Sequence, residues 1–153
     1  MTPEERLHRL GLEIPPVPPA VGTYVGTVPV GNLLFVAGHG PFRDGKPQFI
    51  GKLGREFDVE QGKRAAQLVL LNMLATIKDT LGDLDRIKRV VKLLVLVNSM
   101  PEFGDQPKVA NGASDLLVEI FGPDRGPHAR SAVGMAALPF GIAVEIEGIF
   151  EVA

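Results

Sequence analysis

The sequence has 153 residues, of which 45% are apolar and 22% are charged, and its formal net charge is −2. This composition is typical of a single globular domain, and no apolar run reaches the roughly 18 residues that a membrane span needs. The chain has no cysteine, which excludes disulfides and cysteine nucleophiles and favours a cytoplasmic protein. Its three histidines are widely spaced, so we expect no metal or cofactor.

The first twenty residues are predicted to form a short helix and an extended arm. The segment TPEERLHRLG has a capping threonine, a proline in its first turn and a terminal glycine, which is typical of a helix. Four prolines in LEIPPVPPA exclude it from a sheet interior. Ile14 and Val17 favour docking of this arm on the body, and a loose linker is the alternative. The predicted division of the chain is an N-terminal helix and arm, 1–20, and a main domain, 21–153.

Two strands are predicted next, at about residues 22–27 and 33–38. The glycine and asparagine at positions 31 and 32 indicate a hairpin turn between them. A loop rich in glycine and proline follows, with a short strand at about residues 48–50.

Helices and strands then alternate. A long helix is predicted from about Val59 to Leu81, with Asp58 as its N-cap, and a second from about Asp105 to Phe121. Residues 90–97, VVKLLVLV, form a strand that is apolar at almost every position. The element order predicts an α+β domain, a mixed sheet with two main helices on one face. Two helices cannot cover both faces of such a sheet, so self-association is expected.

The last two strands lie within His128–Phe150 and are predicted to form a hairpin that turns at 138–141. Arg130 shares a strand face with small residues, which leaves a hollow beside a guanidinium suited to bidentate recognition of a carboxylate. The alternative is a salt bridge to Glu147, or to another acid at a subunit boundary.

Glu145 and Glu147 lie on one face of the last strand, ~7 Å apart. One carboxyl group could handle protons with a raised pKa while the other pairs with a cation; charges at the rim of the sheet are the alternative. Hairpin pairing would bring Glu145 level with about residue 135, ~17 Å along the strand from Arg130. A site that uses both residues is therefore expected between subunits.

Other polar residues are weaker candidates. Tyr24, the only tyrosine, is either a packing residue or a site hydroxyl, and Asn111 lies near the start of the second helix. His39 is expected to be satisfied by its glycine-rich turn. The short basic segment DRIKRVVK and a pI near 5.9 argue against a nucleic-acid partner and fit a solvated surface.

The segment ARSAVGMAALPFGIAVEIEGI resembles the C-terminal signature of the RidA/YjgF family of reactive-intermediate (enamine/imine) deaminases, also labelled L-PSP endoribonucleases. GTYVG, VGNLLFVAGHGP and VANGASDLL are similar to three more motifs of that family, so the resemblance covers about residues 20–153. It implies a chorismate-mutase-like fold of the bacillus type. It also implies a homotrimer that binds a small carboxylate-bearing ligand in clefts between its subunits.

The resemblance also implies roles for single residues. Arg130 would bind the substrate carboxylate, Glu145 would act on the hydrolytic water, and Tyr24 would reach the cleft from the adjacent chain. The other substrate-binding candidates are Ala132, through its backbone N–H, Gly31 and Asn111. The implied reaction is hydrolysis of small 2-imino or 2-enamino acids to 2-oxo acids and ammonia.

Val25 and Ala132 stand where the deaminases usually have serine and cysteine, which indicates a distinct subgroup. A trimer that binds a 2-oxo acid or an amino acid without catalysis is therefore a second hypothesis. An endoribonuclease is a third, although the sequence offers neither a histidine pair nor a basic groove for it.

Overall fold

The computed structural model describes residues 1–20 and 22–153. Val21, the first residue of the predicted main domain, lies outside the described residues. The helices are α1 (Pro3–Arg9), α2 (Val59–Leu81) and α3 (Gln106–Arg125). The strands are β1 (Thr27–Val30), β2 (Leu33–His39), β3 (Phe42–Arg43), β4 (Lys46–Pro47), β5 (Ile87–Asn98), β6 (Ala129–Met135) and β7 (Val144–Val152).

Five strands form one sheet in the order β1-β2-β7-β5-β6. All neighbours are antiparallel except β5 and β6, which are parallel. The long helices α2 and α3 pack together and cover one face of the sheet, where the core forms. The predicted α+β class, with a mixed sheet and two main helices on one face, is confirmed. Among the described residues, no helix is both long and apolar enough to cross a membrane.

The predicted hairpin of β6 and β7 is wrong, because β5 lies between these two strands. The turn at Pro139–Gly141 therefore carries the chain across β5 instead of into a neighbouring strand. Leu96 of β5 pairs with Glu145 on one side and with Val133 on the other. Glu145 is thus level with Val133, two residues nearer to Arg130 than the hairpin pairing implied.

Local sequence signals account for the bounds of α2, and a glycine accounts for its close packing with α3. Asp58 and Gln61 form a reciprocal capping box at the start of α2, and Gly82 ends the helix with a left-handed φ of 84°. A Cβ atom on Gly112 of α3 would lie 2.3 Å from the carbonyl oxygen of Lys63 in α2. The helices therefore pack backbone to backbone at this point, and only glycine permits so close an approach.

Two strand predictions near the N-terminus are wrong in position. The strand expected at residues 22–27 begins only at Thr27 and includes Pro29. Proline is tolerated there because β1 is an edge strand and need not donate every backbone N–H. Instead of a strand at residues 48–50, the loop contains the small β3–β4 hairpin and isolated bridges, among them the one between Ile50 and Ile142.

The N-terminal arm is docked at its start. Leu12 and Ile14 pack against the core, which confirms the expectation for Ile14. Val17 is 46% exposed, so the expectation that it is buried is wrong. Helix α1 is held by a capping box between Thr2 and Glu5.

Candidate functional site

Five of the six predicted site residues fall into two groups, and the two charged residues, Arg130 and Glu145, lie on opposite faces of the sheet. The arginine group comprises Arg130 and Ala132 of β6 with Asn111 of α3. The glutamate cleft is a cavity of about 830 Å³ lined by Glu145 and Tyr24, among others.

A directional hydrogen-bond network holds the guanidinium of the arginine group. Nη1 of Arg130 donates to Oδ1 of Asn111 at 2.8 Å and to Oγ of Ser114 at 3.1 Å. Nδ1 of His128 lies 2.7 Å from the carbonyl oxygen of Gly126, and Nε2 lies 2.9 Å from Oγ of Ser114. Since the carbonyl can only accept, neutral His128 carries its proton on Nδ1 and accepts the Ser114 proton at Nε2. Ser114 therefore accepts a hydrogen bond from Arg130 and donates one to His128, which links the two residues.

The positive charge of Arg130 is left without an acid. Among the described residues, no carboxylate lies within salt-bridge distance of its guanidinium, so the predicted alternative of a bridge to Glu147 is not formed within this chain. Burial lowers the pKa of His128 from its usual 6.5, and the charge of Arg130 lowers it further, against the opposing effect of the Gly126 hydrogen bond. The network thus joins a neutral histidine to an arginine that forms no salt bridge with any described residue.

The strand register separates Arg130 from Glu145. Leu93, which pairs with Arg130, is fully buried under the helices. Leu96, which pairs with Glu145, is half-buried on the opposite face. The two residues also differ by three positions along their strands and lie two strands apart, ~10 Å in each direction. One chain cannot bring both side chains to one small ligand.

The glutamate cleft opens where β2 ends and β7 begins. Glu145 is half-buried there, and burial, followed by the charge of Glu147, raises the pKa of its carboxyl group. Within the described ranges its carboxylate makes no hydrogen bond or ion pair. A Cβ atom on Gly38 would lie 3.1 Å from Oε2 of Glu145, so glycine at this position leaves room for the carboxylate.

His39 supports the cleft and is satisfied, as expected from its turn. Its Nδ1 lies 2.6 Å from the carbonyl oxygen of Ala37, and its Nε2 lies 2.8 Å from Oγ1 of Thr76. Burial lowers the pKa of His39, which keeps the ring neutral, although the hydrogen bond to Ala37 acts in the other direction. In the described part of the chain, no cluster of three or more His, Asp or Glu side chains could hold a metal ion.

Of the other predicted residues, Tyr24 lies in the glutamate cleft and Gly31 belongs to neither region. Tyr24 lines the glutamate cleft with half of its surface exposed. Gly31 lies in the β1–β2 turn with a left-handed φ of 60°, beside the C-terminal end of β7. Glu145 is near the opposite end of β7, ~20 Å away, and Gly31 does not line the cleft. Its substrate-binding role stays a prediction.

Several contributing residues were missed from sequence. Ser114 lies one helical turn after Asn111, so the spacing of three residues could have placed both beside Arg130. His128 immediately precedes the Ala-Arg pair and could have been tested as its support. Gly38 belongs to the same glycine-rich motif as His39, but no local signal tells which glycine meets the carboxylate.

Comparison with known proteins supports one family. The family model described as "YjgF/chorismate_mutase-like, putative endoribonuclease" matches residues 4–145, including most of α1 and the arm. Protein TCP17 of Trypanosoma cruzi is 46% identical over 145 residues, which cover 95% of this chain and 91% of that protein.

Solved structures show the same fold at two levels of similarity. A protein of unknown function from Agrobacterium tumefaciens is 45% identical, with a TM-score of 0.92 over 99% of this chain and 92% of its own. RidA from an Antarctic Psychrobacter species is 28% identical, with a TM-score of 0.60 over 89% of this chain and 94% of its own. The N-terminal helix and arm thus have counterparts in the Agrobacterium protein.

Proposed function

Because the chain belongs to the YjgF/RidA family, we propose that it hydrolyses 2-imino and 2-enamino acids to 2-oxo acids and ammonia. The proposed site joins the glutamate cleft of one subunit to the arginine group of the next. The observation that carries this proposal is that Arg130 and Glu145 lie on opposite faces of one sheet and that neither forms an ion pair with another described residue. A second copy of the chain can bring its arginine group to the glutamate cleft of the first, so that the cation and the carboxyl group face one ligand.

A homotrimer is proposed as the assembly. The sheet face without helices exposes large apolar side chains, which is unusual for a monomer. They include Val28, Val30, Phe35, Val133 and Met135. Closed cyclic symmetry allows each copy to present its arginine group to a neighbour's cleft, so that three equivalent sites form.

Arg130 is suited to hold the substrate carboxylate. Its Nη1 is already engaged by Asn111 and Ser114, which leaves the edge formed by Nε and Nη2 for two parallel hydrogen bonds. Asn111 and Ser114 restrict the guanidinium before the ligand arrives, so less entropy is lost on binding. The backbone of Ala132, next on the same strand face, is proposed to complete the carboxylate site.

Glu145 is suited to move protons during hydrolysis. As a base it takes a proton from water while the water oxygen bonds to C2 of the protonated imine and the C=N pair shifts to nitrogen. As an acid it then returns that proton to the amine. It next takes the proton of the new hydroxyl group as the C=O bond forms and the C–N bond breaks, so 2-oxo acid and ammonia leave. A raised pKa brings the carboxyl group closer to the working pH for these steps. The Tyr24 hydroxyl is proposed to orient the water or the imine nitrogen.

The cleft is a poor match for RNA. Among its described lining residues, Asp44, Asp79 and Glu145 are acidic and only Arg43 is basic. Phosphate groups would be repelled there, whereas nucleic-acid sites depend on clustered cations. The endoribonuclease label of the family model therefore finds no support in the charges of this cleft.

The experiment is complementation between two inactive variants, Arg130→Ala and Glu145→Gln, mixed one to one after reversible dissociation or by co-expression. In randomly assembled trimers, about a quarter of the interfaces would join an intact Glu145 to an intact Arg130. We expect each variant alone to be inactive on freshly generated imino acid and the mixture to recover about a quarter of wild-type turnover.

A mixture without activity would contradict the shared site. The matched control mixes the double variant Arg130→Ala/Glu145→Gln with either single variant, a combination that has no intact interface. Light scattering on each sample checks the trimer. Binding of 2-oxo acids without any turnover in the wild type would instead favour the non-catalytic hypothesis.

A further inference from the structure

The glutamate cleft is lined by both polar and apolar side chains. Glu145 and the His39–Thr76 pair are among the polar ones. Phe42 and Phe140, whose rings are in contact, form an apolar patch. The cleft has a volume of about 830 Å³, which is larger than a three- or four-carbon acid. It falls in the range of sites that bind larger ligands, roughly 300–1,000 Å³.

The arm contributes prolines to the wall of the cleft. Pro15, Pro16, Pro18 and Pro19 all line it. Proline has no backbone N–H, so this wall offers apolar rings and few hydrogen-bond donors. A hydrogen-bond acceptor placed here would lose its water without gaining a donor, whereas an apolar group would make no such loss.

Phe140 is held at the cleft in an unfavourable backbone conformation. Its φ of 61° and ψ of 9° are left-handed, which is rare for a bulky residue. The side chain is 61% exposed, so burial within the chain does not offset this strain. Its ring meets Phe42 edge to face, with centroids 5.8 Å apart at 89°. Strained residues of this kind concentrate at ligand sites.

We propose that the cleft selects 2-imino acids with an aromatic or similarly large apolar side chain, and that Phe140 determines this preference. The inference rests on the proposed function for the orientation of the ligand. With the carboxylate of the ligand on Arg130 of the neighbouring copy and its C2 at Glu145, its side chain is proposed to contact the Phe42–Phe140 pair. An aromatic ring there adds a further edge-to-face contact.

The test compares calorimetric affinities for phenylpyruvate and pyruvate, the products of a large and a small imine. We expect the wild type to bind phenylpyruvate at least about tenfold more tightly. Phe140→Ala should lower the affinity for phenylpyruvate by about tenfold and change that for pyruvate less than about twofold. Phe140→Gly removes the side chain and relieves the left-handed strain, so it should lose the same preference with a melting temperature at or above that of Phe140→Ala.

Ile50→Ala is the matched control. Ile50 is exposed and lies beside the same turn, against Gly141, but it does not line the cleft. Its truncation should leave the preference unchanged. Equal wild-type affinities, no binding of either acid, or a preference that survives both Phe140 variants would overturn the inference. If only the proposed function fails, the result is different. The wild type would still bind phenylpyruvate more tightly than pyruvate, but it would hydrolyse neither the phenylalanine-derived nor the alanine-derived imine.

Discussion

Arg130 and Glu145 carry opposite charges and are held in opposite ways. Two hydrogen bonds fix Nη1 of Arg130, and His128 supports them through Ser114. Within the described residues the carboxylate of Glu145 has no such partner, and burial and a like charge raise its pKa. A fixed cation is suited to binding, because its side chain has little conformational freedom left to lose when the ligand binds. An uncompensated carboxyl group is suited to proton transfer, because its two protonation states are closer in free energy.

Glu145→Gln gives the sharpest test of this comparison. The amide cannot exchange a proton, so kcat for imine hydrolysis should fall by about 10²–10⁴-fold. Affinity for a 2-oxo acid should stay within about threefold, because Arg130 still holds the carboxylate. Steady-state kinetics and calorimetry on the same preparation separate the two quantities. Glu147→Gln, on the same strand face, is the control and should retain most of kcat. Equal losses of kcat and affinity in Glu145→Gln would make Glu145 a binding residue.

Arg130→Lys tests the other half of the comparison. Lysine keeps the charge but loses the planar fork, so affinity for a 2-oxo acid should fall by about tenfold or more. The melting temperature should change little, because the guanidinium makes no salt bridge with the described residues. Calorimetry and thermal denaturation measure the two effects. An unchanged affinity, or an unfolded variant, would mean that Arg130 has a structural role instead.

The smallest expected effect is on stability and depends on pH. A carboxyl group with a raised pKa binds its proton more tightly in the folded chain than in the unfolded chain. The free energy of unfolding therefore falls as the pH rises from the ordinary carboxyl range through the raised pKa of Glu145. Glu145→Gln removes this penalty. We expect its melting temperature to exceed the wild-type value at pH 7.5 and to match it near pH 4. The same difference at both pH values would show that desolvation of the Glu145 charge is not the cause.

The two regions also differ in what could be predicted from sequence. The α2 boundaries, Val59 and Leu81, were predicted because a capping box and a stop glycine are local signals. The identities of Arg130, Asn111 and Glu145 came from motifs. Their relation did not, because the turn at residues 138–141 looks the same whether the chain enters a neighbouring strand or crosses over β5. The register across β5 then decides which face each side chain occupies.

The residues that hold Arg130 in place were invisible for a similar reason. Ser114 and His128 lie 14 positions apart in the chain and meet only because α3 packs against β6. The left-handed backbone of Phe140 is equally hidden, since its sequence neighbours predict a turn but not which of its residues takes the strain. Tertiary packing, which local patterns do not encode, determines both.

The position of β6 at the edge of the sheet has a consequence for solubility. Its outer rim of backbone N–H and C=O groups is a template for pairing with another chain. At the opposite edge, Pro29 interrupts β1. The β6 sequence ARSAVGM contains no proline or lysine, and its only charge, on Arg130, turns under α3 toward Asn111. A chain released from the proposed trimer would therefore be expected to aggregate edge to edge through β6. Substitutions that weaken such a trimer should appear first as precipitation and only then as loss of the proposed activity.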